Sequence, residues 1–267
     1  MRRSADIPSE LLGGPFRRRD AEKAGISRRM LQGGRFRRLT HDVYAPAELA
    51  DDALVLARAL QLANPAAVIS HASAGVSWLL PVPEGTVAHV TVPKGRLRSI
   101  VSCEAIVHES RRPESQQQGD WWVTPPARTF TDLPACHGLS DVVACGDALV
   151  RQGVCSAEDL VLAARECPRP GARRSRAAAA LVRPGVDAAT ETRLRLLMVL
   201  SGLPEPVTNR DVFDSLGAWV ARPDLSYPDY LIAIGTTADG TPLTIGNGRR
   251  TSIGGSTTTA PAGGWLS

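Results

Sequence analysis

The stretch 187–234 combines helical and strand periodicity in one continuous order, and this order restricts the fold more than any other part of the chain. Apolar residues recur at helical spacing over 194–200, and an acid, Glu191, lies in the first turn of that pattern. Asp187 or Thr190 can cap the same helix. The sequence therefore predicts that the stretch begins with a helix.

Three segments after this helix have the patterns of strands. Val207–Phe213 alternates and contains β-branched residues, Ala218–Leu225 follows a turn, and Tyr230–Ile234 is an apolar run of strand length. The predicted order is helix, strand, turn, strand, strand. This order places one acid, Glu191, on the helix and another, Asp224, at the end of a strand.

Short motifs accompany this order: E-T-R-L-R at 191–195, G-L-P-x-P at 202–206 and R-P-D-L at 222–225, ahead of the apolar strand at 231–234. Together they resemble the PD-(D/E)XK nucleases, and most of all the branch related to the very-short-patch-repair endonuclease, which includes many actinobacterial proteins. The resemblance implies an α/β restriction-endonuclease-like domain that cleaves DNA with Mg²⁺. It also implies that Asp224 is a catalytic, metal-binding acid, and that Glu191 helps to hold the metal or the attacking water.

The resemblance breaks where the remaining catalytic acids belong. The family continues with Glu, an aromatic or aliphatic residue, Asp, Gly and a nearby His, whereas this chain has Gly-Thr-Thr-Ala at 235–238. Residues 235–267 contain eight Gly and eight Thr but only three charged residues, and no earlier segment has this composition. The truncated domain therefore holds two of the acids and lacks the central one.

A change of reading frame explains this composition. Arg outnumbers Lys 29 to 2, which indicates a GC-rich gene. With GC-rich codons chosen at the free positions, one base inserted in codon 235 turns Gly-Thr-Thr-Ala into Glu-Tyr-Asp-Gly, followed by Arg, Arg and His. The same frame turns 263–267 into Trp-Arg-Leu-Val-Val, a core-strand pattern. We interpret 235–267 as out-of-frame translation and expect 236–267 to lack regular structure; the alternative is a natural Gly/Thr-rich flexible tail.

Both acids also have an ordinary structural explanation. The helix dipole favours an acid in a first turn, which applies to Glu191. An Asp after a proline is a common turn residue, which applies to Asp224 after Pro223. With the resemblance taken into account, we interpret the two acids as a vestigial Mg²⁺ site.

Basic residues are concentrated at the start of the chain. Residues 1–40 hold eleven Arg or Lys against four acids, in a chain of net charge +4, and such a local excess indicates either a polyanion partner or a solvated basic face. The pattern predicts a helix over Pro15–Lys23, a second over Arg28–Gln32 capped by Ser27, and one hairpin arm over Phe36–Tyr44. The pattern over 7–46 therefore predicts a helix-turn-helix with a wing. Its candidate DNA-binding residues are the arginines of the second helix and the wing: Arg28, Arg29, Arg35, Arg37 and Arg38.

Two motifs in this region, A-x-x-A-G-I-S-R-R-M-L and F-R-R-L-x-x-x-V-Y-A, resemble the N-terminal winged-helix domain of AbiE antitoxins from abortive-infection systems. Three later elements resemble the C-terminal part of the same antitoxins: S-H-x-S-A near Ser70, V-T-V-P near Val90 and T-P-P-A-R-T-F near Thr124. The resemblance implies a DNA partner and allows a toxin-like protein partner. The departure is His41-Asp42, where the family usually has Arg-Gly in the wing turn. A small docking domain is the alternative for this segment.

The middle of the chain mixes helical and strand patterns. Ala67–Leu80 is predicted as an apolar helix, Ile100–Cys103 as one of several strands, and Pro168–Arg176 as a linker. The three histidines of this region, His71, His89 and His108, are interpreted as satisfied core groups, because a single His on an apolar element is more often that than a ligand.

Composition narrows the cellular setting. No apolar run approaches the roughly 20 residues of a membrane span, and no apolar segment follows Arg2 and Arg3 as in a signal peptide. The five cysteines lack any C-x-x-C pair, and Cys136 beside His137 lacks the further ligands of a zinc site. These features predict a reduced cytoplasmic protein with no membrane partner.

The complete prediction is an α+β chain in four parts. These are a winged-helix DNA-binding-like region (1–48), an AbiE-antitoxin-like α+β region (49–176), a truncated endonuclease-like domain (177–235) and an unstructured tail (236–267). We expect a DNA-associated protein derived from a metal-dependent endonuclease and catalytically impaired by loss of the C-terminal acids. The alternatives are a DNA-binding regulator or antitoxin without catalysis, in a toxin–antitoxin or phage-defence system, and a scaffold that binds a partner toxin.

Overall fold

The computed structural model of the chain describes residues 7–50, 52–83, 85, 87–96, 105–213, 217, 219–236, 242–246 and 249–252. These residues form an α+β protein, which confirms the predicted fold class at that level. They divide into two compact units, one made of the chain up to His137 together with Cys167–Gly171, the other of the remainder. The four-part division made from the sequence is finer and stays a prediction.

The elements of the first unit follow in chain order: β1 Phe16–Arg17, α1 Arg18–Lys23, α2 Arg28–Leu31, β2 Phe36–Thr40, β3 Val43–Pro46, α3 Ala53–Ala63, β4 Val68–Ile69, α4 His71–Ser77, β5 Ala88–Pro93, β6 Ala105–Ser110, β7 Gln116–Gln118, β8 Trp121–Val123 and α5 Pro126–Asp132. Short 3₁₀ turns lie at Ser9–Leu11 and Leu133–Ala135.

Two short helices and a hairpin open the first unit. The Ser27 hydroxyl caps α2 by accepting the Met30 backbone N–H at 3.3 Å, as the sequence predicts. The segment predicted as one hairpin arm is corrected: β2 and β3 are both arms, with a turn at Asp42, whose φ is +64°. Phe16 on β1 packs edge-on against Phe36 with ring centroids 5.8 Å apart. These contacts give the helices and hairpin an apolar core of their own.

A five-stranded sheet of order β6-β5-β4-β8-β7 forms the rest of the first unit. The region predicted as one helix over 67–80 divides into β4 and α4, since Val68 and Ile69 pair with β5 before the helix begins. β5 and β6 run parallel. Helix α3 packs on this sheet and shares its apolar core, which includes Leu60 and Val90. The predicted strand Ile100–Cys103 lies outside the described residues.

The elements of the second unit follow in chain order: α6 Leu139–Arg151, α7 Ala157–Glu166, α8 Ala172–Leu181, α9 Ala189–Leu200, β9 Val207–Thr208, β10 Val212–Phe213, β11 Trp219–Ala221, β12 Leu225–Tyr227, β13 Ile232–Thr236, β14 Pro242–Gly246 and β15 Arg249–Ser252. A 3₁₀ turn lies at Pro228–Tyr230.

Helices make up the first half of this unit. The linker predicted over 168–176 is wrong in its second half, because α8 already begins at Ala172. The Ala-rich sequence after the prolines explains this, since alanine has the highest helix propensity. A buried ion pair between Asp147 on α6 and Arg195 on α9 joins two of the helices, with 3.1 Å between Oδ2 and a guanidinium nitrogen.

Strands make up the second half of this unit. A five-stranded antiparallel sheet has the order β15-β14-β13-β12-β9, and β10 pairs separately with β11. Two strands predicted as continuous, over 207–213 and 218–225, are each interrupted, the first at Asn209 with φ +46°. The expectation of no regular structure after 235 is corrected for β14 and β15, which continue the sheet from β13. The rest of that tail lies outside the described residues.

None of the helices in the described ranges is both long enough and apolar enough to cross a bilayer.

Candidate functional site

Helix α9 presents Glu191 from its first turn, as the sequence predicts, but the predicted cap is wrong. The capping position is Ala188, and no side chain accepts a hydrogen bond there. Instead the Glu191 carboxylate reaches back and accepts the backbone N–H of Asp187 at 3.0 Å. This bond fixes the carboxylate at the start of the helix, where exposed N–H groups favour negative charge.

Asn209 is a residue of this site that sequence reasoning missed. Its side-chain amide donates to Glu191 Oε2 at 2.9 Å and to the Gly185 carbonyl at 2.7 Å. Its backbone takes a φ of +46°, a left-handed conformation that Asn tolerates better than most residues. The sequence gives one sign of this interruption, which is the presence of an Asn within a segment that otherwise has the β-branched pattern of a strand. Asn209 therefore positions the Glu191 carboxylate.

Asp224 lies close to this pair, directly before β12 and not at the end of a strand as predicted. Its carbonyl accepts the Asn209 backbone N–H at 3.0 Å, which continues the pairing of β9 with β12. Asp224 is partly exposed, whereas Glu191 is only 5% exposed. The structure thus brings together the two acids that the sequence analysis selected.

The environment of Glu191 disfavours its charge. Burial is the largest cause that raises the pKa of Glu191, and the negative charges of Asp224 and Asp187 raise it further. The hydrogen bonds from Asp187 and Asn209 act in the opposite direction but do not cancel these effects. A buried carboxylate next to a second carboxylate is the arrangement that a bound cation would relieve.

Gly235 lies one step beyond the ladder of β12 with β13. The last pair of that antiparallel ladder is Leu225 with Ile234, so the same register, extended by one residue, would set Asp224 opposite Gly235. Residues opposite each other on paired strands point to the same face of the sheet. A Cβ at Gly235 would meet no atom within 4 Å, so a side chain there has room. Gly235 therefore leaves an open position at this point of β13.

Two carboxylates do not by themselves complete a metal centre. Within the described part of the chain, neither Glu191 nor Asp224 belongs to a group of three or more His, Cys, Asp or Glu side chains compact enough to hold a metal ion. Thr237, the second position that the frame change would convert to an acid, lies outside the described residues. The site as described offers oxygen ligands of the kind Mg²⁺ prefers, but too few of them.

The raised pKa of Glu191 gives a test of this environment. Because the pKa of the folded form lies above its ordinary value, the folded state loses stability as the pH rises through that folded pKa. We expect Glu191→Gln to raise the melting temperature at pH 7.5, by roughly 2–4 °C for each kcal/mol by which it increases the free energy of unfolding. At pH 4 and below, the difference should shrink. Glu166→Gln, on an exposed position of α7, is the control and should change little; a melting temperature lowered by Glu191→Gln at pH 7.5 would contradict this.

The five arginines selected for DNA binding divide into two groups. Arg28 and Arg29 on α2, and Arg35 before β2, are exposed. A terminal guanidinium nitrogen of Arg37 donates instead to the carbonyls of Leu49 and Ala50, at 3.2 and 3.0 Å. The Arg38 side chain is exposed but donates to the Thr40 carbonyl at 3.2 Å. Arg37 therefore holds the chain after the hairpin, and the exposed arginines carry the candidate DNA surface.

The turn between β2 and β3 holds Asp42 in an unusual backbone conformation. Asp42 has a φ of +64°, in the left-handed region that a glycine adopts without cost. Its carboxylate accepts a hydrogen bond from Arg18 Nε at 2.6 Å, in a pair that also raises the pKa of Arg18. Asp42 thus adopts a backbone conformation that is unfavourable for a non-glycine residue, and its side chain forms an ion pair with Arg18 of α1.

The sequence interpretation also missed a group of side chains in the first unit. His71, His89 and His108 come from three different elements, and each was interpreted singly as a core histidine. In the structure, ligand nitrogens of all three lie within 4.8 Å of one another. Their spacing in the sequence gives no sign of this, because the parallel pairing of β5 with β6 brings them together.

In comparisons with known proteins, no protein-family model and no curated protein matches the chain.

Proposed function

We propose that the second unit derives from a Mg²⁺-dependent DNA endonuclease of the PD-(D/E)XK type, and that the present chain is impaired in cleavage. The observation that carries this proposal is the position of Asp224. It lies beside Asn209, which holds Glu191, and directly before β12, whose ladder with β13, extended by one residue, would set it opposite Gly235, where the nuclease pattern has a Glu. This arrangement supports the proposal, because a three-acid centre would draw its ligands from these three positions.

The chemistry explains why the third position matters. Hydrolysis of a phosphodiester requires a hard cation that screens the phosphate charge and activates water, and Mg²⁺ would supply both when bound. Glu191 and Asp224 would hold it through carboxylate oxygens. Asn209 and the Asp187 N–H fix the Glu191 carboxylate, so that its orientation does not depend on the metal. Gly235 contributes no ligand, and the metal affinity and catalysis fall accordingly.

Incubation of the purified chain with supercoiled plasmid and Mg²⁺ is the direct experiment. We expect nicking no faster than that of a control carrying both Glu191→Ala and Asp224→Ala. Robust Mg²⁺-dependent cleavage by the present chain, abolished in the double variant, would show that the two acids suffice without Gly235. The comparison with a frame-restored gene belongs to the same prediction and is set out in the Discussion.

A second candidate function is a DNA-binding regulator or antitoxin that never required catalysis. The observation that favours it is the exposed arginine surface of Arg28, Arg29 and Arg35 on a capped short helix and the adjoining hairpin. In a helix-turn-helix the second helix enters the major groove, where Arg contacts phosphates or guanine edges. Sequence-selective binding to its own promoter, or a co-purifying toxin-like protein, would support this function.

Both candidates predict that this surface binds DNA. Arg28→Ala with Arg29→Ala should weaken binding and reduce the dependence of log affinity on log salt by about 1 for each lost phosphate contact. The matched control is Arg111→Ala with Arg112→Ala, which removes the same charge from exposed positions elsewhere in the first unit. A mobility-shift assay that gives equal affinity for both double variants would exclude the helix α2 surface as the DNA face.

A further inference from the structure

We infer that His71, His89 and His108 form a binding site for one divalent transition-metal ion of the zinc class, separate from the acidic site of the second unit. Each side chain offers one ring nitrogen, and these three atoms all lie within 4.8 Å of one another. In the part of the chain that the structure describes, this is the one group of three or more His, Cys, Asp or Glu side chains compact enough for a metal.

The fold itself brings the three rings together. Thr91 on β5 lies opposite His108 on β6, so His89, two residues before Thr91, faces the same side of the sheet as His108. His71 reaches that side from the start of α4, with a φ of +51° that a non-glycine residue adopts at a cost. A strained residue aimed at two other ligands is the arrangement found at functional sites more often than in plain cores.

The distances are close to those of a shared ion. Nδ1 of His89 and Nε2 of His108 lie 3.0 Å apart and share a hydrogen bond, which a bound ion would replace. With metal–nitrogen bonds of about 2.0–2.1 Å, two ligands of a tetrahedral ion lie about 3.4 Å apart. His71 uses its other nitrogen, Nδ1, to pair with the Ser70 hydroxyl at 3.0 Å, and that hydroxyl in turn accepts from Thr91 at 2.8 Å. In metal sites, a hydrogen bond to the ring nitrogen that does not bind the metal orients the imidazole.

Binding requires the rings to turn. The His71 and His108 rings stack with centroids 3.5 Å apart and planes 9° from parallel, whereas a metal must lie in the plane of each ring it binds. The torsion about the Cβ–Cγ bond of histidine is broad, so it does not by itself prevent this rotation. His108 is the half-buried member of the group, so an ion would approach from its solvent-exposed side.

The local electrostatics keep the nitrogen lone pairs available. Burial lowers the pKa of His71 to about 2, with His108 and His89 adding to the effect. Burial likewise lowers the pKa of His89 to about 4 and lowers that of His108. All three rings are therefore neutral at physiological pH, which is the form that binds a metal.

The donor set selects the kind of ion. Three imidazoles suit Zn²⁺, Co²⁺, Ni²⁺ or Cu²⁺, whereas Mg²⁺ takes oxygen ligands. Three protein ligands leave a fourth position of a tetrahedral ion for water or a small anion.

The test is a titration of the full chain, stripped with a chelator, with Co²⁺ followed by its visible spectrum. We expect one equivalent to bind with the bands of a tetrahedral nitrogen site, Zn²⁺ to displace it, and millimolar Mg²⁺ to leave it in place. His108→Ala should weaken Co²⁺ binding by at least about 100-fold, because loss of even a supporting hydrogen bond costs about 10–100-fold. His41→Ala, at an exposed histidine, is the matched control and should bind as the parent does.

Circular dichroism checks that each variant is folded, and His108→Asn serves if the alanine variant is not. Absence of saturable Co²⁺ binding by the parent chain would overturn the proposal. So would undiminished binding by the folded His108 variant, or a strong near-ultraviolet sulfur-to-cobalt band, which would assign the ion to cysteine thiols. None of these outcomes depends on DNA cleavage, so the test is independent of the endonuclease proposal.

Discussion

Asp147→Ala should destabilise the second unit by about 3–5 kcal/mol, because it removes the buried counter-charge of Arg195 and leaves that guanidinium only Glu205, an exposed acidic partner at 3.3 Å. The side chains of Asp147 and Arg195 are only 2% and 1% exposed, and they lie 3.1 Å apart. The Asp147 carboxylate also accepts the Arg183 backbone N–H and the Thr192 hydroxyl, each at 2.8 Å. One substitution therefore removes three bonds that join α6 to α9 and to the chain just after α8.

Urea unfolding of parent and variants measures this effect. The matched control is Asp141→Ala, which breaks an ion pair of similar length, 3.0 Å, between the same two helices at a more exposed position on Arg193. We expect the control to cost no more than about 1 kcal/mol. Equal losses for Asp147→Ala and Asp141→Ala would show that the buried pair does not hold the helices together.

A double variant separates the charge effect from the packing effect. Asp147→Leu with Arg195→Met removes both charges and leaves an apolar contact, which is often tolerated where a single buried charge is not. We expect the double variant to unfold at a higher urea concentration than Asp147→Ala. Since α9 carries Glu191, these measurements also report how firmly the helix of the acidic site is anchored.

Much of the acidic site was predictable from the sequence. Helical spacing and the first-turn position of Glu191 depend on local chemistry, and the structure confirms a helix there that begins two residues after Asp187. The strand predicted over Tyr230–Ile234 is confirmed only from Ile232, where β13 spans Ile232–Thr236, because Tyr230 lies in a 3₁₀ turn and Leu231 caps it at φ +53°. These features are visible because short-range periodicity determines them.

The cap of this helix and the breaks in the strands were not predictable in the same way. Asp187 and Thr190 are ordinary capping residues, but Glu191 takes the Asp187 N–H instead because its carboxylate is held by Asn209. The interruption at Asn209 arises from a left-handed backbone conformation that alternation does not report. Tertiary contacts decide such positions, and single-sequence patterns do not contain them.

The strands after 235 and the histidine cluster both depend on long-range strand pairing, which the sequence patterns did not predict. The Gly- and Thr-rich composition after 235 predicted no regular structure, yet β14 adds to β13 along its whole length, because backbone hydrogen bonds at a sheet edge need no particular side chains. His89 and His108 are distant in the chain, and the parallel register that joins them depends on the whole sheet. Long-range pairing is the information that the sequence patterns lacked.

A frame-restored gene should encode an active nuclease. One base restored in codon 235 gives Gly235→Glu and Thr237→Asp and rewrites every later residue. The new Glu would lie opposite Asp224 in the strand register, at a position with space for a side chain. Carboxylates from two strands and one helix could then share one Mg²⁺ ion. We expect the gain in cleavage to exceed anything that a single substitution achieves.

The point variant Gly235→Glu in the present chain is the intermediate case. It supplies the central acid but not the rewritten helix and strand that would shield and shape the site. Its cleavage should therefore be weaker than that of the frame-restored protein. Activity equal to that of the restored protein would show that the sequence after 235 contributes nothing to catalysis.

The most direct measurement is plasmid cleavage with Mg²⁺ by three purified proteins side by side: the present chain, the frame-restored protein, and the restored protein carrying Glu191→Ala and Asp224→Ala. Derivation from an endonuclease predicts cleavage by the restored protein alone, lost when a chelator removes Mg²⁺. An inert but folded restored protein would contradict that derivation and favour the DNA-binding regulator, and cleavage that survives the double substitution would show that Glu191 and Asp224 are not the catalytic acids.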